Sequence, residues 1–383
     1  MDFQLTSEQE LIRASAREFA EREIAPYARE WDRSEEIDRS LVPKLADAGY
    51  LGAGWEEEFG GSGLDVVSYA LVVEELGKAD SSVRGIVSVN VGLVGKTIAR
   101  FGTEEQKREW LPRLASGDAL GCYALTEPGC GSDAAALVTR AERDGDGWVL
   151  SGSKTFITLG AWASVALVFA RTGGEGPKGI TCFLVPTDAD GFEARGIKGK
   201  LGLRAQDTSE LSLDGVRVPE ENRLGELGGG FRVAMSALDV GRISLAAGCV
   251  GIAQGCLDAS VGYARERRAF GRPIAGFQLV QELITEIAVE TEAARLLTWR
   301  AAALADAHAK HTLESSVAKL YASEAAVRAA NNAVQVFGGY GYVDEYPVGK
   351  YLRDARVTTL YEGTSQIQKL IIGRALTGES AFT

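Results

Sequence analysis

The spacing of apolar residues changes twice along the 383-residue chain, and that double change leaves few folds open. Up to about residue 120, apolar side chains recur three and four positions apart in residues 5–24, 41–51, 66–76 and 83–101, which predicts helices. Turn segments such as "EEEFGGSGL" separate them. From Gly121 to about residue 226 the runs become short and rich in β-branched and aromatic residues: "GCYALT", "GWVLSGSKTFIT", "SVALVFART", "GITCFLVP" and "SELSLDGVRVP". Gly, Pro and Asp clusters punctuate them, so they read as strands of a small barrel or sandwich. The helical period then returns in long Ala-rich stretches over residues 238–269, 276–308 and 313–337, which predict a four-helix bundle. The expectation is a multidomain α+β chain, mainly α: an N-terminal helical domain over 1–120, a central β domain over 121–228 and the C-terminal bundle over 229–383. This order is neither the alternation of a doubly wound sheet nor an internal repeat.

Composition removes several function classes. Hydrophobic residues make up 45% of the chain, enough to bury a core. The net charge is −12 and no basic run interrupts it, so neither nucleic acid nor an acidic membrane surface is an expected partner. "MDFQLTSEQELIRASAREF" carries capping-box spacing at Ser7 and Glu10 and no apolar signal core. No apolar run reaches membrane-spanning length, so a cytoplasmic protein without membrane insertion is expected. The five cysteines lack metal-ligand spacing and read as buried free thiols in a reducing compartment. His308 and His311 are placed on one face of an Ala-rich helix, as a solvated polar face. They are the only histidines, so neither a metal site nor a hydrolytic triad is expected.

Two segments have simple local readings. "GEGPKG", residues 174–179, fits G-x-G-x-x-G, but a proline lies inside it and a strand follows where a helix is required. A hairpin loop is expected there, not a nicotinamide site. In "TTLYEGTSQIQKL", residues 358–370, Ser365 and Gln368 have capping-box spacing before an apolar series. On that stretch alone, Glu362 reads as an acid favoured by the positive end of a helix.

Six segments in order change the reading of Glu362. They are "YALTEPGCGSD" (123–133), "GSKTFIT" (152–158), "LDVGR" (238–242), "RRAFGRPIAGFQ" (267–278), "QVFGGYGY" (335–342) and "YEGTSQIQ" (361–368). Over nearly its whole length the chain resembles the acyl-CoA dehydrogenases, most closely the short-chain or butyryl type. The resemblance implies a homotetrameric flavoprotein, a dimer of dimers with FAD at the subunit interface. Such a protein oxidises the Cα–Cβ bond of an acyl thioester and passes electrons to an electron-transferring flavoprotein. It also implies roles for residues. Glu362 matches the base that takes the α-proton, and its backbone N–H resembles one oxyanion donor, the other being a ribityl hydroxyl of the flavin. Gly363 lets the chain turn close to the thioester. Some family members carry the base just before the arginine of "LDVGR"; here that position is Gly241. Asp239 and Arg242 correspond to substrate contacts near the thioester.

Cofactor contacts follow in the same way. Tyr123, Leu125 and Thr126 correspond to residues lining the flavin, while Gly131 and Ser132 reach cofactor phosphate or the thioester arm. Locally, a type II turn after Pro128 is the simpler expectation for that stretch. Phe156, Ile157 and Thr158 alternate on a predicted strand, which aims Phe156 and Thr158 at one face, an aromatic and a hydroxyl suited to a flavin. The family often has Trp at the position of Phe156 and Asn at that of Leu159. A guanidinium suits a pyrophosphate, and the R-x-x-F-G pattern selects Arg267 over Arg268, with Phe270 and Gln278 beside it. Gln335, Gly338 and Gly339 correspond to groups that reach a flavin held mainly by the neighbouring subunit, although a helix C-cap explains Gly338 equally well. Thr364 and Gln366 fall on the phosphate and ribose side. Three alternatives stay open: the same chemistry on an acyl carrier protein, a flavin oxidase or monooxygenase on the same fold, and a non-catalytic thioester-binding relative.

Overall fold

Several helices of the first third begin where a side chain satisfies free backbone amides. The computed structural model describes residues 4–381; the outer ends of the two expected flanking domains, residues 1–3 and 382–383, lie outside the described residues. α1 (Ser7–Glu23) starts with a capping box between Thr6 and Gln9, one residue earlier than the pair Ser7 and Glu10. α2 (Ala28–Ser34) and α3 (Leu41–Asp47) are short. Asp65 caps α4 (Val66–Ala79), and Asp80 accepts from the Ser82 and Val83 amides to start α5 (Ser81–Val87). The helix expected over 83–101 is broken in the middle. A π-helical stretch, Ser88–Gly95, lies between α5 and α6 (Lys96–Phe101). Such widened turns cluster at functional sites. A Thr103–Gln106 capping box opens α7 (Glu104–Ser116).

The central β region is one connected sheet of eight strands. These are β1 (Gly121–Ala124), β2 (Arg140–Asp144), β3 (Gly147–Thr158), β4 (Val165–Arg171), β5 (Ile180–Pro186), β6 (Phe192–Gly196), β7 (Thr208–Pro219) and β8 (Arg223–Leu224). Their order is β6-β7-β3-β2-β4-β5-β8, with β1 parallel to β4. The segment 174–179 is a loop between β4 and β5, as its proline required. β3 and β7 pair along their lengths, with a register shift between Lys154 and Ile157. That bulge is what aims Phe156, because it interrupts the strand alternation there.

The last part is helical: α8 (Gly230–Glu266), α9 (Gln278–Asp306), α10 (Thr312–Phe337), α11 (Val348–Thr358) and α12 (Ser365–Thr377). α8 is long and apolar enough to cross a membrane, with a mean hydropathy of 1.4 over its best window, but 72% of that window is buried within the protein. It is a core helix, shared by two apolar cores. One fills the N-terminal helices and the sheet, the other fills the bundle. All five cysteines are buried and free. The histidines depart from expectation. His308 has φ 52° and His311 precedes α10, so both sit in the α9–α10 connection rather than on a helix face. No cluster of metal-ligating side chains exists among the described residues.

A buried ionic cluster ties the three parts together. Lys350 Nζ of α11 lies 2.6 Å from Asp354 and 3.0 Å from Asp80, the residue that caps α5. Asp354 also accepts from the Leu203 amide of the β region at 2.7 Å. α5 is thereby fixed against the bundle, with its C-terminal half facing the main cleft.

Candidate active site

Glu362 stands where α11 hands over to α12, in a turn that most residues avoid. Its φ is 54°, followed by Gly363 at 88°. A non-glycine residue held in this region is costly and persists only where its surroundings hold it there. They do so through two side chains. Lys319 Nζ of α10 donates to the Gly363 carbonyl at 2.8 Å, and Gln368 Nε2 donates to the carbonyls of Glu362 and Gly363 at 3.1 and 3.2 Å. Thr364 caps α12, accepting from the Ile367 amide, so the cap lies one residue before Ser365. Ser365 donates instead to Glu324 at 2.6 Å.

The carboxylate itself is left unpaired. Glu362 Oε2 is sealed from solvent and makes no hydrogen bond, while the residue lines a cleft of about 840 Å³. Burial pushes its pKa above the ordinary glutamate value, and Arg84, Lys319 and Arg242 only partly offset that rise. Gly241 of α8 is the reason the carboxylate fits. A Cβ built there would stand 2.4 Å from Glu362 Oε2 and 2.8 Å from Leu93. The two positions that could supply an acid thus occupy one space, and a side chain at residue 241 would displace Glu362.

The opposite part of the cleft comes from the β region. Tyr123, Leu125, Thr126, Gly131, Ser132, Phe156, Ile157 and Thr158 all line it, as do Asp239 and Arg242 of α8 and Gly363. Phe156 reaches it from a φ of 57° in the β3 bulge. Thr158 accepts from Gln206 at 3.0 Å. The turn of Glu127 to Cys130 is closed by paired backbone bonds of 3.1 Å, but Gly129 has no left-handed φ, so it is not the type II turn expected after Pro128. Buried Glu127 anchors this turn. It accepts from the Val138 and Thr139 amides and from Lys154 Nζ at 2.8 Å. Burial raises its pKa, but Lys154 and these hydrogen bonds together bring it below the usual carboxylate range. Asp239 and Arg242 form a 2.8 Å pair with Arg242 nearly fully buried, so it is not the solvated surface pair their spacing alone suggests.

The remaining sequence candidates do not join this cleft within one chain. Arg267, Gln335, Gly338 and Gly339 line a second, more open cleft of about 690 Å³, with Arg267 over the Tyr340 ring. Phe270 is 95% exposed on a small ribbon after α8, at φ 50°, and Gln278 begins α9 exposed. Gln366 is exposed on α12, and Thr364 is used as the cap. Four residues of the main site were not singled out from sequence: Arg84, Ser88, Gln206 and Lys319. The available signal for Arg84 was that it is the only ionisable residue between Ser81 and Gly95.

Comparison with known proteins covers nearly the whole chain. Three family models match it: the acyl-CoA dehydrogenase N-terminal domain over residues 6–118, the middle domain over 122–216 and the C-terminal domain over 228–377. The mitochondrial short-chain specific acyl-CoA dehydrogenase of Mus musculus is 45% identical over 370 residues, which is 96% of this chain and 90% of that protein. Among solved structures, butyryl-CoA dehydrogenase from Megasphaera elsdenii superposes with a TM-score of 0.96 at 41% identity, covering 98% of this chain and 100% of that one. A glutaryl-CoA dehydrogenase from Mycobacterium smegmatis, in complex with FADH2, gives 0.95 at 38% identity, covering 99% and 97%.

Proposed function

The chain belongs to the acyl-CoA dehydrogenase family of oxidoreductases, and on that premise we propose FAD-dependent α,β-dehydrogenation of a short- to medium-chain acyl thioester to the trans-2-enoyl thioester. One observation carries this reading: Glu362, whose buried Oε2 has no hydrogen-bond partner among the described residues, lines a cleft that the Tyr123–Thr158 surface lines as well.

The residues fit the cofactor. Nothing lies within 4 Å of a Cβ built on Gly129 or Gly131, so the backbone there leaves room for a close-packed group. Tyr123, Leu125, Thr126, Phe156, Ile157 and Thr158 would hold the flavin ring, and Ser132 with Gly131 its phosphate or the thioester arm. Arg267, Phe270, Gln278, Gln335, Gly338 and Gly339 would hold the same cofactor from a second copy, in a homotetramer. Thr364 and Gln366 would face its phosphate and ribose side. When bound, the flavin accepts the hydride that leaves Cβ.

The chain's own contribution is the proton. Glu362 would take it from Cα; a carboxylate whose burial raises its pKa is a stronger base than one in water. The Glu362 amide, which no carbonyl accepts from among the described residues, would donate to the thioester carbonyl oxygen and stabilise its developing charge. Asp239 and Arg242 lie on the same wall and would fix the thioester end. Butyryl and glutaryl thioesters present the same reacting carbons and differ only at the far end of the acyl chain. An electron-transferring flavoprotein is the proposed acceptor.

The test is anaerobic mixing of the purified flavin-loaded protein with acyl thioesters on coenzyme A and on acyl carrier protein. Bleaching of the yellow colour is the expected result. Failure of every thioester to bleach it would overturn the reading, and fast recolouring in air would make the protein an oxidase.

A further inference from the structure

Gln206 is a polar side chain, 5% exposed, in the wall of the main cleft. Its loop, residues 197–207 between β6 and β7, is fastened to α11. Gly202 packs there so closely that a Cβ would stand 2.2 Å from the Arg353 carbonyl oxygen. The next amide, of Leu203 at φ 46°, donates to Asp354 at 2.7 Å. The Gln206 amide returns to the Leu203 carbonyl at 3.1 Å, and the Gln206 carbonyl accepts from Lys200 Nζ at 3.0 Å. The side chain then crosses to α5. A Cβ on Gly85 would stand 2.0 Å from Gln206 Oε1, so any larger residue at 85 would push the amide aside. The buried cluster of Asp80, Lys350 and Asp354 both caps α5 and anchors Leu203. The notch and the loop that fills it therefore share one frame.

From that frame Gln206 Nε2 donates to Thr158 Oγ1 at 3.0 Å, the one hydrogen bond to this hydroxyl among the described residues. An amide nitrogen donates and does not accept. The Thr158 oxygen is therefore the acceptor, and its own proton must point elsewhere. Thr158 ends β3 and lines the cleft, so the open direction is the cleft itself. Building on the dehydrogenation reading above, which puts the flavin ring there, we propose that Gln206 is a positioning residue that holds the Thr158 hydroxyl as a hydrogen-bond donor toward the flavin. A fixed donor distinguishes the two oxidation states of the ring. Oxidised flavin offers bare nitrogens, which accept; reduced flavin carries additional N–H groups, which need an acceptor instead. Holding the hydroxyl as a donor in a buried wall therefore favours the oxidised ring and lowers its potential. The rival explanation is that Gln206 only fills the gap between its loop and α5.

The midpoint potential of the bound flavin separates these. It is measured on the holoenzyme without thioester, for the unmodified protein, Gln206→Met, Thr158→Val and the double variant, with flavin content checked in each. Gln206→Met removes the donor at similar length. It should raise the potential by about 30 mV, which is about a tenfold change in the ratio of oxidised to reduced flavin for a two-electron couple. The double variant should match Thr158→Val, because without the hydroxyl Gln206 has nothing to direct. With Thr158→Ser, which keeps a hydroxyl, the sensitivity to Gln206→Met should return. Should Gln206→Met lose its flavin, Gln206→Asn, with a side chain one methylene shorter, takes its place in the same cycle. An unchanged potential, or an equal shift with Val at position 158, leaves Gln206 as filling and overturns the proposal. A fall in potential overturns it as well, because the hydroxyl would then have been an acceptor. Either result leaves the dehydrogenase reading standing if acyl thioesters bleach the protein. Coupled potentials in a protein that no thioester bleaches would uphold the role of Gln206 and end that reading, and a protein that takes up no flavin ends both.

Discussion

The Glu362 turn and the Arg267–Gln278 ribbon both carry candidate functional residues, yet they are built in opposite ways. The turn is held by Lys319, Gln368 and the Thr364 cap, and it borders the main cleft. The ribbon is two short paired strands with Phe270 almost fully exposed in a left-handed conformation, and the cleft beside it is open. A turn gripped by its neighbours can tolerate strain because they enforce it. The exposed Phe270 at positive φ is held only by the ribbon pairing, the Arg268–Gly271 bond and an edge contact with Phe277. The contrast is between a strained turn fixed from two sides beside a cleft and an exposed ribbon beside a more open one.

Removing the acid should have the largest effect of any single change. Glu362→Gln is expected to lower turnover by about 10⁴-fold with flavin retained, since base and position are lost together. Near-normal turnover in that variant would erase the distinction between the two regions. Gly241→Ala comes next. Its methyl would stand 2.4 Å from Glu362 Oε2 and push the carboxylate away, so a fall of about 100-fold in kcat is expected with a normal flavin spectrum. Unchanged kcat there would mean that the Glu362 side chain adapts freely, contrary to a turn held on two sides.

The sequence made the α–β–α order readable because both periods are strong, but it did not locate every start. Ser7 and Ser365 are good caps by type, yet the backbone chose Thr6 and Thr364, since only a residue in extended φ/ψ can turn its oxygen onto the amides two or three residues ahead. β2 and β6 have almost no buried face, so they show no alternation to read. Glu362 was legible through the surrounding motif. Lys319 was not, because a lone lysine in an Ala-rich helix looks like its solvated face; its role appears only when α10 is packed under the turn. Arg84 stood out as the one charge in an apolar stretch, but its burial in the cleft wall appears only in the packed structure.

The ribbon can be tested by its arginines. Arg267 is expected to matter and Arg268 not, because Arg268 is occupied with the Gly271 carbonyl at 2.8 Å. Arg267→Ala should weaken flavin retention by about tenfold or more, as for loss of a charge-assisted hydrogen bond, without shifting the pH dependence of the proton step. Equal retention in both variants would detach this ribbon from the cofactor.

The smallest effect is on stability, and it concerns sign. Burial raises the folded-state pKa of Glu362, so the ionised carboxylate opposes folding at pH above that pKa, and the penalty disappears as pH falls through it. Lys319 behaves in the mirror sense. Burial lowers its pKa to about 8, so its charged form opposes folding below that pH and the penalty fades as pH rises. Near neutral pH the charged Lys319 is therefore present at a structural cost, and burial of Glu362 disfavours its ionised form. Glu362→Gln should consequently melt higher than the unmodified protein at pH 7, with the gap closing in acid, while kcat/KM of the unmodified protein should fall in acid with a midpoint above the ordinary glutamate value of about 4.3. A variant that melts lower would mean that Arg84, Lys319 and Arg242 together outweigh burial, and the acid limb should then lie below that ordinary value. The two measurements must agree in sign, because one pKa governs both.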